Sequence, residues 1–225
     1  MSVPVEGRRS ILERFNSIAK IDSNGEIYKK VVFDSPIIKI GPRKLLRQRE
    51  VHMKVSEEEK KRISSSRAKN KIRDYAMVNQ DLKFFVTYTL SPKLAEDRYD
   101  EKKIYKQMRD WLSDRVKRND LKYVLVPEEH KDGAWHFHGF VNKDLEWKYG
   151  FKKVVEMGEG PYRGPMVSYA TSYINKNAKK FNGRYYLHSK NLKEPGKFYD
   201  NVDFEGEEGY YCELGQAGIK AKIIQ

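Results

Sequence analysis

The chain has 225 residues and a formal net charge of +13, and 12% of its residues are aromatic. This length allows one catalytic domain with an extension, while the charge and the aromatic content predict nucleic acid as a partner ahead of an anionic membrane. A single cysteine, Cys212, excludes an intrachain disulfide and a cysteine-based zinc site. The sequence shows no signal peptide and no apolar run that could span a bilayer, so we expect a cytoplasmic protein.

The N-terminal part is predicted to be an extension that could contain a β-hairpin. A strand over 26–33 follows a turn at 22–25, and a second short strand covers 37–40. The expected organisation is an extension, a main domain and an irregular tail, at residues 1–55, 56–200 and 201–225.

The main domain is predicted to open with a basic helix. Ser56 and Glu59 have the spacing of a capping box, and acidic residues fill the first turn. The basic residues that follow suit the helix dipole and a solvated face, and they equally suit contact with a DNA backbone. The candidate DNA contacts on this helix are Arg67, Lys69, Lys71 and Arg73.

The central part of the chain indicates an α+β fold. A strand is predicted over 83–90, followed by an amphipathic helix over 100–119. Two further strands, over 122–127 and 134–141, are separated by a turn and would form a hairpin. Because a hairpin follows a β-α unit, we expect a mainly antiparallel sheet of about five strands flanked by helices.

Two histidines in the second strand of this hairpin are candidate metal ligands. His136 and His138 lie on either side of Phe137. Alternate side chains of a strand share a face, so the two imidazoles would project side by side while the phenyl ring points to the other face. Two imidazoles on a rigid strand supply two ligands of a divalent metal, and a carboxylate on the partner strand could supply a third.

The register of the hairpin decides which carboxylate that would be. A loop with an odd number of residues puts Glu128 opposite His136, whereas a two-residue loop puts Glu129 there, and the sequence leaves both open. This set of ligands suits Mg²⁺ or Mn²⁺ and could also hold Zn²⁺ or Fe²⁺. In the simplest alternative the two histidines are structural and bind no metal.

A second helix, predicted over 166–181, carries an apolar stripe and, about 130° around the helix, a stripe of tyrosines and lysines. A tyrosine hydroxyl can attack a phosphodiester once a metal activates the phosphate. Lys176, one turn beyond Tyr173, could neutralise the phenolate or the transition state. The stripe consists of Tyr169, Tyr173, Lys176 and Lys180.

These motifs resemble those of the HUH endonucleases. The metal-binding motif of that superfamily is resembled by Glu128-x-His130-x-x-Gly133-x-x-His136-x-His138. The two-tyrosine motif of its phage and plasmid rolling-circle replication initiators is resembled by Tyr169-x-x-x-Tyr173-x-x-Lys176. The segment 84–89 resembles their first conserved strand, the order of the motifs also matches, and the resemblance covers roughly residues 64–195.

The resemblance implies a ferredoxin-like or RRM-like core and a concrete activity. Such enzymes nick single-stranded or origin DNA through a 5′-phosphotyrosine intermediate, here in the cytoplasm of a bacterium that hosts a phage or plasmid. By position, Mg²⁺ or Mn²⁺ would bind Glu128, His136 and His138. Tyr173 would attack first and Tyr169 would be the alternate nucleophile. His130 would support the ligands or contact DNA, and the remaining candidate DNA contacts are Thr87, Thr89 and Lys180.

Two other functions agree with the same residues. A transposase or a mobilisation relaxase would use the same chemistry, and a basic nucleic-acid-binding module would use the charge without cutting DNA. The sequence contains no Gly-x-x-x-x-Gly-Lys-Ser/Thr phosphate loop, so we expect unwinding by a separate host helicase and extension by a host polymerase.

Overall fold

The computed structural model of the protein divides into two compact units. One combines the two ends of the chain, residues 1–54 and 196–225, and the other contains residues 55–195. The structure describes residues 12–22, 24–40, 56–93, 97–157, 163–174, 179–206, 208–214 and 219–224.

The described residues form strands and helices in a mixed order. The strands are β1 (Leu12–Ile21), β2 (Ile27–Ile40), β3 (Phe84–Thr89), β4 (Tyr123–Glu129), β5 (Trp135–Val141), β6 (Lys152–Glu156), β7 (Leu187–His188), β8 (Gly196–Asp200), β9 (Tyr210–Leu214) and β10 (Ile219–Ile224). The helices are α1 (Glu57–Val78), α2 (Glu101–Asn119) and α3 (Arg163–Ser172).

The unit formed by the chain ends is a five-stranded antiparallel sheet of order β8-β1-β2-β10-β9. At the β1–β2 turn the Asp22 carboxylate accepts hydrogen bonds from the backbone N–H groups of Asn24 and Glu26. The N-terminal hairpin was expected, but the C-terminal segment differs from the predicted irregular tail, because β8, β9 and β10 complete this sheet. Strands that pair with partners so distant in sequence leave only a weak local signal.

The unit of residues 55–195 contains the second sheet, with strand order β6-β3-β5-β4-β7 and antiparallel pairing throughout. This confirms the predicted α+β class, with a five-stranded antiparallel sheet flanked by helices. The β4–β5 hairpin has a five-residue loop, 130–134, in which Gly133 adopts a φ of +86°. Glycine tolerates this left-handed conformation at little cost, which favours the turn.

Helices cover the two faces of this sheet differently. On one face, α2 packs its apolar stripe, with Met108 and Trp111 at the centre, against Trp135 and Phe137 of β5. On the other face, α1 and α3 pack against Phe140 and its neighbours on β3 and β4. His136 and His138 alternate with Phe137 along β5, so they lie on the face that α1 and α3 cover.

Helix α3 is shorter than predicted. It was expected over 166–181, but it begins at Arg163 and ends at Ser172. Phe181, expected on the same apolar stripe as Val167, instead pairs with Arg184 in a tight turn and packs against Trp135 and Phe137 on the opposite face of the sheet. The helical periodicity therefore continued in the sequence beyond the end of the helix itself.

The described helices include none that is both long and apolar enough to cross a bilayer.

Candidate metal and nucleophile site

The register of the central hairpin selects one carboxylate. Glu128 pairs with His136 across the β4–β5 ladder, and Glu129 pairs with Trp135. Residues directly opposite each other share a face, so Glu128 lies on the face of the two histidines. Glu129 lies on the other face, where its carboxylate is 2.6 Å from the Lys179 ammonium.

Two rows of polar side chains cross the sheet at this end. The first row contains Thr87 and His138, and the second contains Thr89, His136 and Glu128. The Thr87 hydroxyl is 3.1 Å from His138 Nδ1, and the Thr89 hydroxyl is 3.3 Å from His136 Nδ1. Because each threonine takes the Nδ1 side of a ring, the Nε2 atoms are left for a ligand or a carboxylate.

The carboxylate and one imidazole are in direct contact. Glu128 Oε2 lies 3.0 Å from His138 Nε2. A neutral imidazole has one N–H, and a threonine hydroxyl can donate or accept, so Thr87 is compatible with either tautomer of His138. The ring can therefore present Nε2 either as an N–H to the carboxylate or as a bare lone pair.

Burial keeps both imidazoles neutral. It lowers the pKa of His138 to about 4, and the nearby His136 acts in the same direction. Burial also lowers the pKa of His136, with a further contribution from His130. Burial raises the pKa of the Glu128 carboxyl, while His130 opposes that rise. Neutral imidazoles have the lone pair that a metal ion requires.

The residues fit a divalent ion in part. Two ligands at right angles on an ion bonded at about 2.1 Å lie about 3 Å apart, which agrees with the contact between Glu128 and His138. The His136 ring is farther away, with its centre 6.4 Å from that of His138. Within the part of the chain that the structure describes, no three His, Cys, Asp or Glu side chains are grouped closely enough to hold a metal as they stand.

The two tyrosines lie beside this pair. The Tyr173 ring stacks flat on the His138 ring, with the ring centres 4.0 Å apart and the planes 2° apart. Its hydroxyl donates to the Tyr169 hydroxyl over 2.6 Å, and the Tyr169 side chain is 53% exposed. Burial, the bond to Tyr169 and the negative charge of Glu128 all raise the pKa of Tyr173. Its resting state is therefore the protonated phenol.

The apolar stripe of α3 has its own partner. Val167 and Ala170 pack in the cluster that includes Ala68 and Ile72 of α1. The stripe therefore faces α1 and the covered part of the sheet, while Tyr173 reaches the histidine from just beyond the end of the helix. One helix serves both packing and the site because its two stripes point in different directions.

The other predicted site residues lie in several places. His130 is exposed in the loop, and its ring stacks on His136 with centres 4.9 Å apart. Lys180 is exposed after α3, and Lys176 lies outside the described residues. The hydroxyls of Thr87 and Thr89 contact histidines, so the structure gives them a role other than the DNA contact that was predicted. The basic residues of α1 are at most partly buried, and they comprise Arg67, Lys69, Lys71 and Arg73.

Sequence reasoning missed one cation beside the site. Arg98 pairs with Asp132 in the β4–β5 loop at 3.1 Å, and its charge contributes to the lowered pKa of His136. Arg98 precedes α2, and its backbone carbonyl accepts a hydrogen bond from the N–H of Trp135. No local pattern marks this arginine, because the contact joins segments more than 30 residues apart.

Comparison with protein families gave one match to this part of the chain. Residues 83–178 match the family model for replication-associated proteins of the ORF2 type. This segment, less than half of the chain, runs from β3 past α3 and includes Glu128, both histidines and both tyrosines. It is similar to replication-associated proteins, and the match supports a role in replication. Searches of curated proteins and of solved structures returned no match.

Proposed function

We propose that this protein is a rolling-circle replication initiator that nicks and rejoins single-stranded DNA through a 5′-phosphotyrosine intermediate. The observation that carries the proposal is the stacking of Tyr173 on His138, which is itself in contact with Glu128. A phenol, an imidazole and a carboxylate on one sheet face are the groups that metal-assisted tyrosine transesterification needs. The net charge of +13 suits the DNA substrate.

Tyr173 is the proposed nucleophile because it is the tyrosine in contact with the imidazole. Its oxygen forms a bond to phosphorus, the bond from phosphorus to the 3′ oxygen breaks, and that oxygen takes up a proton to become a 3′-hydroxyl. The phenol proton leaves along the hydrogen bond to Tyr169, whose exposed side chain connects it to solvent. Rejoining is the reverse, with a 3′-hydroxyl attacking the phosphotyrosine.

The remaining side chains hold and orient. Glu128, His136 and His138 would bind Mg²⁺ or Mn²⁺, which when bound would act as a Lewis acid on the non-bridging phosphate oxygens. Thr87 fixes the His138 ring through Nδ1, and Thr89 does the same for His136. Lys176 remains the candidate for neutralising charge on the reacting phosphate, on the sequence pattern alone.

A labelled-DNA assay tests the chemistry. Single-stranded oligonucleotides that tile the cognate replicon are incubated with the protein and Mn²⁺, and the products are separated on a denaturing gel. A 5′-phosphotyrosine keeps the 3′ label on the protein and releases the 5′ label on a shorter strand. We expect Tyr173→Phe to lower the yield of adduct by at least about 100-fold, and Tyr169→Phe by about 10-fold.

The matched control is Tyr105→Phe, a partly buried tyrosine that packs with the α2 core on the opposite sheet face. It should leave the adduct unchanged. An adduct lost only in Tyr169→Phe would reverse the choice of nucleophile. No adduct with any oligonucleotide would remove the nicking activity and leave a nucleic-acid-binding module.

The assignment to replication, rather than to transposition or mobilisation, rests on the family match over residues 83–178. Under this proposal the free 3′-hydroxyl primes a host polymerase, and a separate helicase unwinds the duplex. Replication of a plasmid that carries the cognate origin should depend on Tyr173. Normal copy number of such a plasmid with Tyr173→Phe would argue against the assignment.

A further inference from the structure

A basic groove lies beside α1 in the same unit as the site. It has a volume of about 530 Å³ and is formed by α1 and by the segment that leads into β7. Its cationic lining consists of Arg67, Lys71, Lys180 and Arg184. Its aromatic lining consists of Tyr185, Tyr186 and His188. Cations beside aromatic rings are the combination that binds a single strand of nucleic acid, through phosphates and stacked bases.

Most of these cations are available for a ligand. Arg67, Lys180 and Arg184 are exposed, and no carboxylate among the described residues forms an ion pair with them. Lys180 lies 5.1 Å from the centre of the Tyr185 ring. Lys71 differs, since it pairs with Glu194 and leaves the groove with a net excess of positive charge.

The groove selects among the basic residues of α1. Arg67 and Lys71 are one turn apart and line it together with Ser64, so they share a helix face. Lys69 and Arg73, also predicted to contact DNA, are not part of the lining. The fold therefore divides the charge run into a groove face and a face outside the groove.

The groove is connected to the tyrosine site by the segment 179–188. At one end Lys179 pairs with Glu129, the residue after Glu128. At the other end His188 pairs with Val124 across the β4–β7 ladder. The segment follows β4 over five residues, which is about 17 Å at the rise of a strand. A strand held at Tyr173 could therefore continue into the groove.

We propose that this groove binds the single-stranded DNA that flanks the cleaved phosphate, holding its backbone with Arg67, Lys180 and Arg184 and its bases against the aromatic wall. The identity of the polyanion rests on the proposed function, while the site itself is new to it. The groove adds a second attachment point outside the reacting groups, so its loss should weaken binding without removing the nucleophile.

Binding of a labelled oligothymidylate, measured by fluorescence anisotropy over a series of salt concentrations without added metal, tests the groove apart from cleavage. We expect Arg67→Ala and Arg184→Ala each to weaken binding about 3- to 10-fold and to lower the slope of log affinity against log salt by about 0.7. Arg109→Ala, an exposed arginine on α2, is the control that removes one charge elsewhere. Arg73→Ala tests the charge of α1 outside the groove, and its effect should be smaller.

Equal losses in Arg67→Ala and Arg73→Ala, or unchanged slopes in both groove variants, would overturn the proposal. Tighter binding of duplex through the same residues would overturn it as well. Thermal melting of each variant verifies that it folds. If the groove variants lose DNA while the wild type forms no covalent adduct, the groove stands and the nicking proposal fails. If they form adduct and bind DNA as the wild type does, the reverse holds.

Discussion

The two faces of the central sheet are made by the same strands, yet one is a core and the other carries a site. On the α2 side, Trp135, Phe137 and Val141 of β5 are all buried in one cluster. On the side of α1 and α3, only the Phe140 end of β5 joins the core, and the threonine, histidine and glutamate side chains follow. Alternation along a strand lets the packed face hold rigid what the other face presents.

The comparison is tested most strongly by adjacent substitutions on β5. Phe137→Ala should lower the free energy of unfolding by about 3–5 kcal/mol, because it empties a fully buried site, with 0% exposure of Phe137. His138→Ala should lower it by less than about 2 kcal/mol and yet remove adduct formation. Urea unfolding followed by tryptophan fluorescence measures the first effect, since Trp111, Trp135 and Trp147 all lie in the α2-side core. Equal losses of stability would make His138 a core residue.

The polar face should also make stability depend on pH. The pKa of His138 falls from 6.5 to about 4 on folding, so between these values the unfolded chain binds more protons than the folded one. Stability is therefore full above about pH 6.5 and falls as the pH drops towards 4, by at most about 3 kcal/mol. The raised pKa of Glu128 acts in the opposite direction and offsets part of this loss.

Unfolding midpoints at pH 7 and pH 5 measure this effect. The variant His138→Gln removes the titrating group and should flatten the difference between the two midpoints. A variant that keeps the full pH dependence would assign it to other groups.

A smaller effect is expected from the threonine behind the ring. Thr87→Val removes the hydroxyl 3.1 Å from His138 Nδ1 while keeping the shape of the side chain. We expect Mn²⁺ affinity to fall about 10- to 100-fold, because the ring loses the partner that orients it, with little change in unfolding. Titration with Mn²⁺ by calorimetry measures this. Thr89→Val is the matched comparison on His136, and losses in neither variant would show that the rings are oriented by packing alone.

The sequence could predict most of what is local. The capping box at Ser56 correctly gave the start of α1, and the apolar stripe gave α2 within one residue. Alternation predicted that His136 and His138 share a face. These features depend on neighbours along the chain, whose periodicity and capping residues can be read directly from the letters.

Tertiary structure decided everything that depends on distant partners. The five-residue loop put Glu128 rather than Glu129 on the histidine face, and a side chain changes face with each one-residue shift. Helix α3 ended at Ser172, so Tyr173 could stack on His138 and Phe181 could enter the other core. The sequence by itself determined which chemical groups were available and on which alternating faces. Packing and register decided which of them meet, because those contacts join segments that no local pattern relates.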